Sequence, residues 1–132
     1  MDKIIKCLLT MTEIGMILYW IFATLVVLQV LDVSPELMYS DYQNPLIVSW
    51  NWSFFPIDIL FAVLGLAATY GSMNMQRKRL LRIVSLALMF CAGLMAIAFW
   101  VLQGVFDLFW WAVNLWLIGV SSAEMGRIYR QL

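Results

Sequence analysis

The sequence predicts an all-α integral membrane protein: one domain, residues 1–132, folded as a bundle of four transmembrane helices with both termini in the cytoplasm. The first observation is composition, since 64% of the 132 residues are hydrophobic and only 12% are charged, whereas soluble domains carry about 25% charged residues. A soluble chain this short buries too little of its surface to hide so many apolar side chains. The second observation is the presence of four long apolar runs, and the third is the clustering of basic residues between them.

The four predicted spans cover about residues 7–30, 47–70, 80–102 and 109–126. A hydrocarbon core about 30 Å thick takes about 20 helical residues, and backbone amides within it must pair inside their own segment. The first run follows two lysines, as a secretory signal would, but it exceeds the roughly 7–15 apolar residues of such a signal and precedes no small-residue cleavage site. We therefore expect it to be retained. Pro56 lies inside the second span and predicts a kink there, because proline removes a backbone hydrogen bond.

The basic residues predict the orientation. All eight lie before the first span, between the second and third, or after the fourth: Lys3, Lys6, Arg77, Lys78, Arg79, Arg82, Arg127 and Arg130. The other two connections contain no lysine or arginine. The longer one, about residues 31–46, is acidic and holds helix-breaking Asn44 and Pro45. The positive-inside rule then places the N-terminus, the middle connection and the C-terminus in the cytoplasm.

Several classes of function lack their usual residues here. The chain has no histidine, and its two cysteines, Cys7 and Cys91, belong to no CxxC pair, so we expect no metal site and no cofactor. We interpret both cysteines as packing residues. The formal net charge is zero, which gives no general attraction for nucleic acid. No phosphate-binding loop or nucleophile motif is present, and we assign no catalytic residue.

Two carboxylates fall inside predicted spans, Glu13 in the first and Asp58 in the second. An ionised carboxylate at a helix centre costs about 2.5–3.5 kcal/mol on insertion scales. Because no lysine or arginine is predicted at their depth, each must be protonated, hydrogen-bonded or matched by a bound cation, and both are candidate proton or cation sites. Pro56 frees the carbonyl of Trp52 beside Asp58, which predicts that Asp58 faces the bundle interior. The plainer interpretation is a structural carboxyl bonded to Asn114 or to a hydroxyl.

Other polar and aromatic residues collect near the predicted outer face. Asp107, Asn114 and Ser121 recur every seven residues and form one stripe of the fourth span. Five of the seven tryptophans map to the outer edge. Together they predict a pocket open to the outer leaflet, suited to an organic cation or an amphiphile. The proposed ligand-binding set is Asp58, Asn114, Asp107, Asn51, Gln103, Trp52, Trp100 and Trp111. The plainer interpretation is a polar contact between helices and an ordinary aromatic belt.

Six local strings carry a resemblance to a known family. They are Thr12-Glu13-Ile14-Gly15 with Tyr19-Trp20; Asn44-Pro45-Leu46; Trp50-Asn51-Trp52-Ser53 with Pro56 and Asp58; Cys91-Ala92-Gly93-Leu94; Phe99-Trp100; and Trp110-Trp111 with Asn114-Leu115. The chain resembles, over most of its length, the YvaD-type family of small bacterial four-span membrane proteins. The resemblance implies this topology and a bacterial inner (plasma) membrane location, and it implies no activity.

Three functions therefore compete. The first is binding of a cationic or amphiphilic small molecule, or a lipid, in the pocket for sensing or transport. The second is recognition of a protein partner, as a toxin-immunity protein or accessory subunit, through the acidic outer loop. The third is a lipid or isoprenoid isomerase-like enzyme with Glu13 or Asp58 as general acid, which their separation in the membrane disfavours. A homodimer is compatible with each.

Overall fold

A computed structural model describes residues 3–38 and 41–131. Four long helices follow one another: α1 (Lys3–Val27), α2 (Pro45–Tyr70), α3 (Met75–Gln103) and α4 (Leu108–Tyr129), with a short 3₁₀ helix (Pro35–Leu37) between α1 and α2. No strand occurs among the described residues. The all-α bundle predicted from the sequence is confirmed. Part of the predicted acidic loop, residues 39 and 40, lies outside the described residues.

Polar caps set where the helices begin. The Asn44 side chain accepts the backbone N–H of Leu46 at the start of α2, and Pro45 takes the first helical position, where its missing N–H costs nothing. Asn74 and Asp107 cap α3 and α4 by accepting the N–H groups of Arg77 and Trp110. At the other end of α3, Gly104 adopts a left-handed conformation (φ 67°) that stops the helix.

The Asn74 cap corrects one prediction. Because α3 begins at Met75, the middle connection is shorter than predicted. The residues Arg77, Lys78, Arg79 and Arg82 were expected in that connection, but they belong to the first two turns of α3. Hydropathy places the start of the third span at its first apolar residue, Leu80. The helix itself begins five residues earlier, at Met75, in the polar part of the sequence.

Consecutive helices pack antiparallel. Thr10 of α1 bonds to Tyr70 near the end of α2, and Trp20 bonds to Asp58. The α2–α3 and α3–α4 contacts are the most extensive, whereas α1 and α4 meet only loosely. Gly93 explains the closeness of α3 and α4, because an added Cβ would lie 2.7 Å from the carbonyl oxygen of Asn114. Small residues such as Gly93 let two helix backbones approach closely in this way.

Among the described residues, α1, α2 and α3 are each long and apolar enough to cross a membrane. Large apolar side chains such as Ile14, Leu60 and Leu94 remain exposed on the outside of these helices, as expected where lipid is the solvent. Helix α4, predicted as the fourth span, is not in this set, because Asn114 and Glu124 dilute its apolar residues. Its role as a span stays a prediction, supported by its 22 residues and its extensive packing on α3.

Candidate functional site

Asp58 lies at the midpoint of α2, two residues after Pro56, and only 6% of the residue is exposed. The indole N–H of Trp20, on α1, donates to its Oδ2 atom at 2.9 Å. The predicted inward orientation is therefore observed, but the partner is Trp20 and not Asn114, which donates to the Trp110 carbonyl oxygen within α4. In the described part of the chain, Oδ1 accepts no hydrogen bond, so half of the carboxyl group keeps its bonding capacity.

A cavity of about 270 Å³ lies beside Asp58, between α1, α2 and α4. Its wall is mainly apolar and aromatic, and its polar side-chain groups belong to Thr12, Tyr19, Asp58, Asn114 and three tryptophans. The lining residues are Thr12, Gly15, Met16, Tyr19, Trp20, Phe54, Asp58, Phe109, Trp110, Val113, Asn114, Trp116 and Leu117. The cavity is partly open, and its exposed residues Gly15, Phe109 and Trp116 flank the loose α1–α4 seam. Across that seam, the indole N–H of Trp116 donates to the Thr12 hydroxyl at 2.9 Å.

The structure brings two members of the predicted ligand-binding set, Asp58 and Asn114, to this cavity. The other six lie elsewhere. Asp107 caps α4, and Gln103 is exposed at the last residue of α3. Asn51 is 1% exposed, and neither of its side-chain polar atoms finds a partner among the described residues. Trp52, Trp100 and Trp111 do not line the cavity.

Three of the five tryptophans predicted at the outer edge, Trp50, Trp100 and Trp110, pack on one another. Trp50 stacks on Phe99 with ring centroids 3.9 Å apart, and Trp100 and Trp110 meet it edge-on or tilted. This aromatic cluster joins the start of α2, the end of α3 and the start of α4. Trp110 alone among these four rings also borders the cavity.

Trp20, Tyr19 and Thr12 line the cavity but are absent from the predicted ligand-binding set. All three lie on α1, and no polar stripe distinguishes them from the apolar residues around them. The string Thr12-Glu13-Ile14-Gly15 with Tyr19-Trp20, which carries part of the resemblance, was the one available signal. Trp20 also contacts Trp52 and Phe55 of α2, with ring centroids 5.2 and 5.4 Å apart, so its indole is held by packing as well as by Asp58.

Glu13 occupies a separate site. Its side chain is fully buried and forms an ion pair with Arg82 of α3. The same guanidinium donates to the Gly65 carbonyl oxygen at 2.8 Å and to the Thr69 hydroxyl. The expectation that no lysine or arginine reaches the depth of Glu13 is therefore wrong, since the long Arg82 side chain extends inward from the second turn of α3.

Asp58 has no such cationic partner among the described residues. No group of three acidic or cysteine side chains in the described ranges is arranged to hold a metal ion. Cys7 and Cys91 are both exposed and form no disulfide, and the Cys7 thiol lies 3.9 Å from the sulfur of Met11.

Fold and site together define a small helical bundle of membrane type. It has a partly open apolar cavity beside a buried carboxyl group that accepts one hydrogen bond. The chain belongs to the family described as "Family of unknown function (DUF5360)", whose sequence profile matches residues 5–130. It is 37% identical over 118 residues to "Uncharacterized protein YvaD" of Bacillus subtilis (strain 168), an alignment that covers 88% of this chain and 84% of that protein. The resemblance to a YvaD-type family is thus confirmed. No solved structure matches the chain.

Proposed function

We propose that this protein binds a cationic or amphiphilic small molecule, or the polar head of a lipid, in the cavity beside Asp58. The observation that carries the proposal is a buried carboxyl group with a free oxygen next to a partly open cavity. A carboxyl group in a membrane is costly unless its bonding capacity is met. Trp20 meets part of that capacity, and a ligand with a cationic or hydrogen-bond-donating group would meet the rest.

The cavity's size and entrance narrow the class of ligand. Drug-sized pockets measure about 300–1,000 Å³, so 270 Å³ suits a small molecule or one end of a larger amphiphile. The α1–α4 seam is flanked by apolar residues, and a ligand's hydrocarbon part can remain there in contact with lipid. The aromatic rings of the wall favour a cation as well.

The proposal includes the setting of the site. We place the protein in a bacterial inner membrane, with both termini in the cytoplasm and the cavity reached from the outer leaflet. The bacterial relative and the segregation of basic residues to one end of the bundle support this placement. Sensing and transport both begin with the same binding step, and the first experiment addresses that step.

The test is ligand-dependent thermal stability of the detergent-purified protein, with organic cations, lipids and isoprenoids as probes. A compound that binds at Asp58 will raise the melting temperature of the parent but not of Asp58→Asn, because the amide carries no charge. Asp107→Asn is the matched control: it makes the same chemical change outside the cavity, and asparagine caps a helix as well as aspartate does. A shift that survives in Asp58→Asn contradicts the proposed site.

A second pair of variants tests the cavity itself. Gly15 lines it, and a Cβ added there meets nothing within 4 Å, as is also true at Gly119, which lies outside the cavity. Gly15→Leu will fill part of the cavity and abolish the ligand shift, whereas Gly119→Leu will keep it. Both changes improve helix propensity by up to about 1 kcal/mol, so neither is expected to unfold the protein. If no probe stabilises the parent, support moves to a protein partner at the acidic outer loop.

A further inference from the structure

A second and larger cavity, about 690 Å³, lies at the opposite end of the bundle, where α1 and α3 begin and α2 and α4 end. None of the described residues lines both cavities. The wall of the second one is strongly cationic, with five basic side chains against one carboxylate. The charged lining residues are Lys6, Lys78, Arg79, Arg82, Arg127 and Glu124.

Two of these cations are held in place by buried carboxylates. Arg82 is 6% exposed and is fixed by Glu13 and the Gly65 carbonyl oxygen. Arg127 donates twice to Glu124, with both nitrogen–oxygen distances 2.6 Å. Because these guanidinium groups are already ordered, a ligand that meets them loses little further side-chain entropy on binding.

The remaining cations have unused binding capacity. In the described part of the chain, Lys78 and Arg79 form no ion pair, and the Lys6 ammonium lies 5.0 Å from the centre of the Tyr70 ring. Thr69 and Gln76 add neutral hydrogen-bonding groups to the same wall. Arginine and lysine together with such donors are the groups that bind phosphate.

The orientation rule for membrane proteins explains why basic residues lie at this end, but it does not explain why they converge. Lys3, Arg77 and Arg130 are at the same end and do not line the cavity. The five lining cations come from three helices and surround one concavity. Basic pockets of this kind between helices, near the membrane surface, bind the headgroups of anionic lipids.

We propose that this basic cavity binds a phosphate-bearing anion. The phosphate can belong to an anionic lipid of the surrounding membrane or to a soluble phosphate compound. The inference is independent of the proposed ligand at Asp58, because it rests on different residues at the other end of the bundle.

The experiment measures binding to the detergent-purified full chain with three probes: dioleoylphosphatidylglycerol, the zwitterionic dioleoylphosphatidylcholine, and inorganic phosphate. The key variant is Lys78→Gln with Arg79→Gln. Its matched control is Arg77→Gln with Arg130→Gln, which removes the same charge from the same end of the bundle outside the cavity. All four side chains lie at the surface or partly so, so both double variants should fold.

We expect the Lys78/Arg79 double variant to weaken phosphate-dependent binding by at least tenfold, because each cation near the surface contributes about fivefold. The Arg77/Arg130 control should change it by no more than about threefold. Tighter binding of phosphatidylglycerol than of phosphatidylcholine, without binding of inorganic phosphate, identifies a lipid. Binding of inorganic phosphate that does not depend on lipid identifies a soluble source. Equal losses in the two double variants, or no phosphate-dependent binding by the parent, overturn the inference.

Discussion

The two buried carboxyl groups differ in how their environment compensates them. Glu13 faces the Arg82 guanidinium, so two opposite charges enter the bundle together. Asp58 faces one indole N–H and a cavity. The Oε2 atom of Glu13 is also buried without a hydrogen-bond partner among the described residues, but Arg82 balances the charge of Glu13 and joins three helices. Asp58 has an unused oxygen and no cationic partner in the described ranges, and it lines a cavity, whereas Glu13 lines neither cavity. This contrast between single residues is the reason for placing the ligand at Asp58.

The ion pair gives a prediction for Glu13→Gln. The amide leaves the buried Arg82 charge without its partner, and breaking a buried pair from one side costs about 3–5 kcal/mol of folding free energy. A clear fall in the melting temperature is therefore expected in detergent. The double variant Glu13→Gln, Arg82→Gln should recover part of the loss, because it leaves no unpaired charge.

Glu124→Gln is the matched control for that experiment. It removes a carboxylate from an ion pair with Arg127, whose side chain remains 23% exposed and can be solvated. We expect a smaller loss than for Glu13→Gln. Equal melting temperatures for Glu13→Gln and the parent would show that the pair does not stabilise the fold.

At the scale of the helices, the sequence was sufficient wherever a local rule applies. Asn44-Pro45 predicted a break in the chain just before α2, which begins at Pro45. The long apolar runs predicted four spans, and three of the four helices are long and apolar enough to cross a membrane. Where the rotation of a helix about its axis matters, sequence was not sufficient. Six of the eight predicted binding residues lie away from the cavity, because the direction in which each side chain points depends on how α2, α3 and α4 pack.

The position of Arg82 in the bundle also could not be predicted from the sequence. Its place among the basic residues that separate the second and third predicted spans indicated a residue at the membrane edge. The Asn74 cap starts α3 five residues before Leu80, and the long arginine side chain then reaches Glu13, Gly65 and Thr69. Hydropathy predicts neither the helix start that the Asn74 cap sets, and so the depth of Arg82 in the bundle, nor the direction in which the Arg82 side chain extends.

Gly65 allows the contact of α1, α2 and α3 to be tested. A Cβ at this position would overlap Glu13 Oε1 and would lie 2.8 Å from Ser85 Oγ. The Glu13 side chain is buried and ion-paired, so it cannot move aside without loss. Gly65→Ala should therefore destabilise the protein by about 1–3 kcal/mol, as overpacking does, despite the better helix propensity of alanine.

The control for this variant is Gly119→Ala, where the added methyl group meets nothing within 4 Å. It should leave the melting temperature unchanged or raise it, by up to about 1 kcal/mol in free energy. Thermal unfolding of both variants in the same detergent provides the comparison. If Gly65→Ala had the same melting temperature as Gly119→Ala, the three helices could move apart at this point without losing stability.

For the molecule as a whole, the antiparallel packing of the helices brings the basic residues to one end of the bundle and the acidic connections to the other. The starts of α1 and α3 and the ends of α2 and α4 lie at one end, so the described basic residues gather there. Asp32, Glu36, Asp41 and Asp107 gather at the other end. The positive-inside rule predicts that the basic end is cytoplasmic. The proposed phosphate site would then lie on the inner surface, with the Asp58 cavity nearer the outer one.

Thiol labelling in intact bacterial cells tests this orientation. In a background with Cys7→Ser and Cys91→Ser, Gln43→Cys places a thiol in the long α1–α2 connection and Ser72→Cys places one between α2 and α3; both positions are exposed. A membrane-impermeant maleimide should label Gln43→Cys in intact cells, and Ser72→Cys only after permeabilisation, because the lipid core separates the two connections. The reverse pattern would invert the protein and place the basic cavity outside, and labelling of both positions in intact cells would rule out α2 as a membrane span.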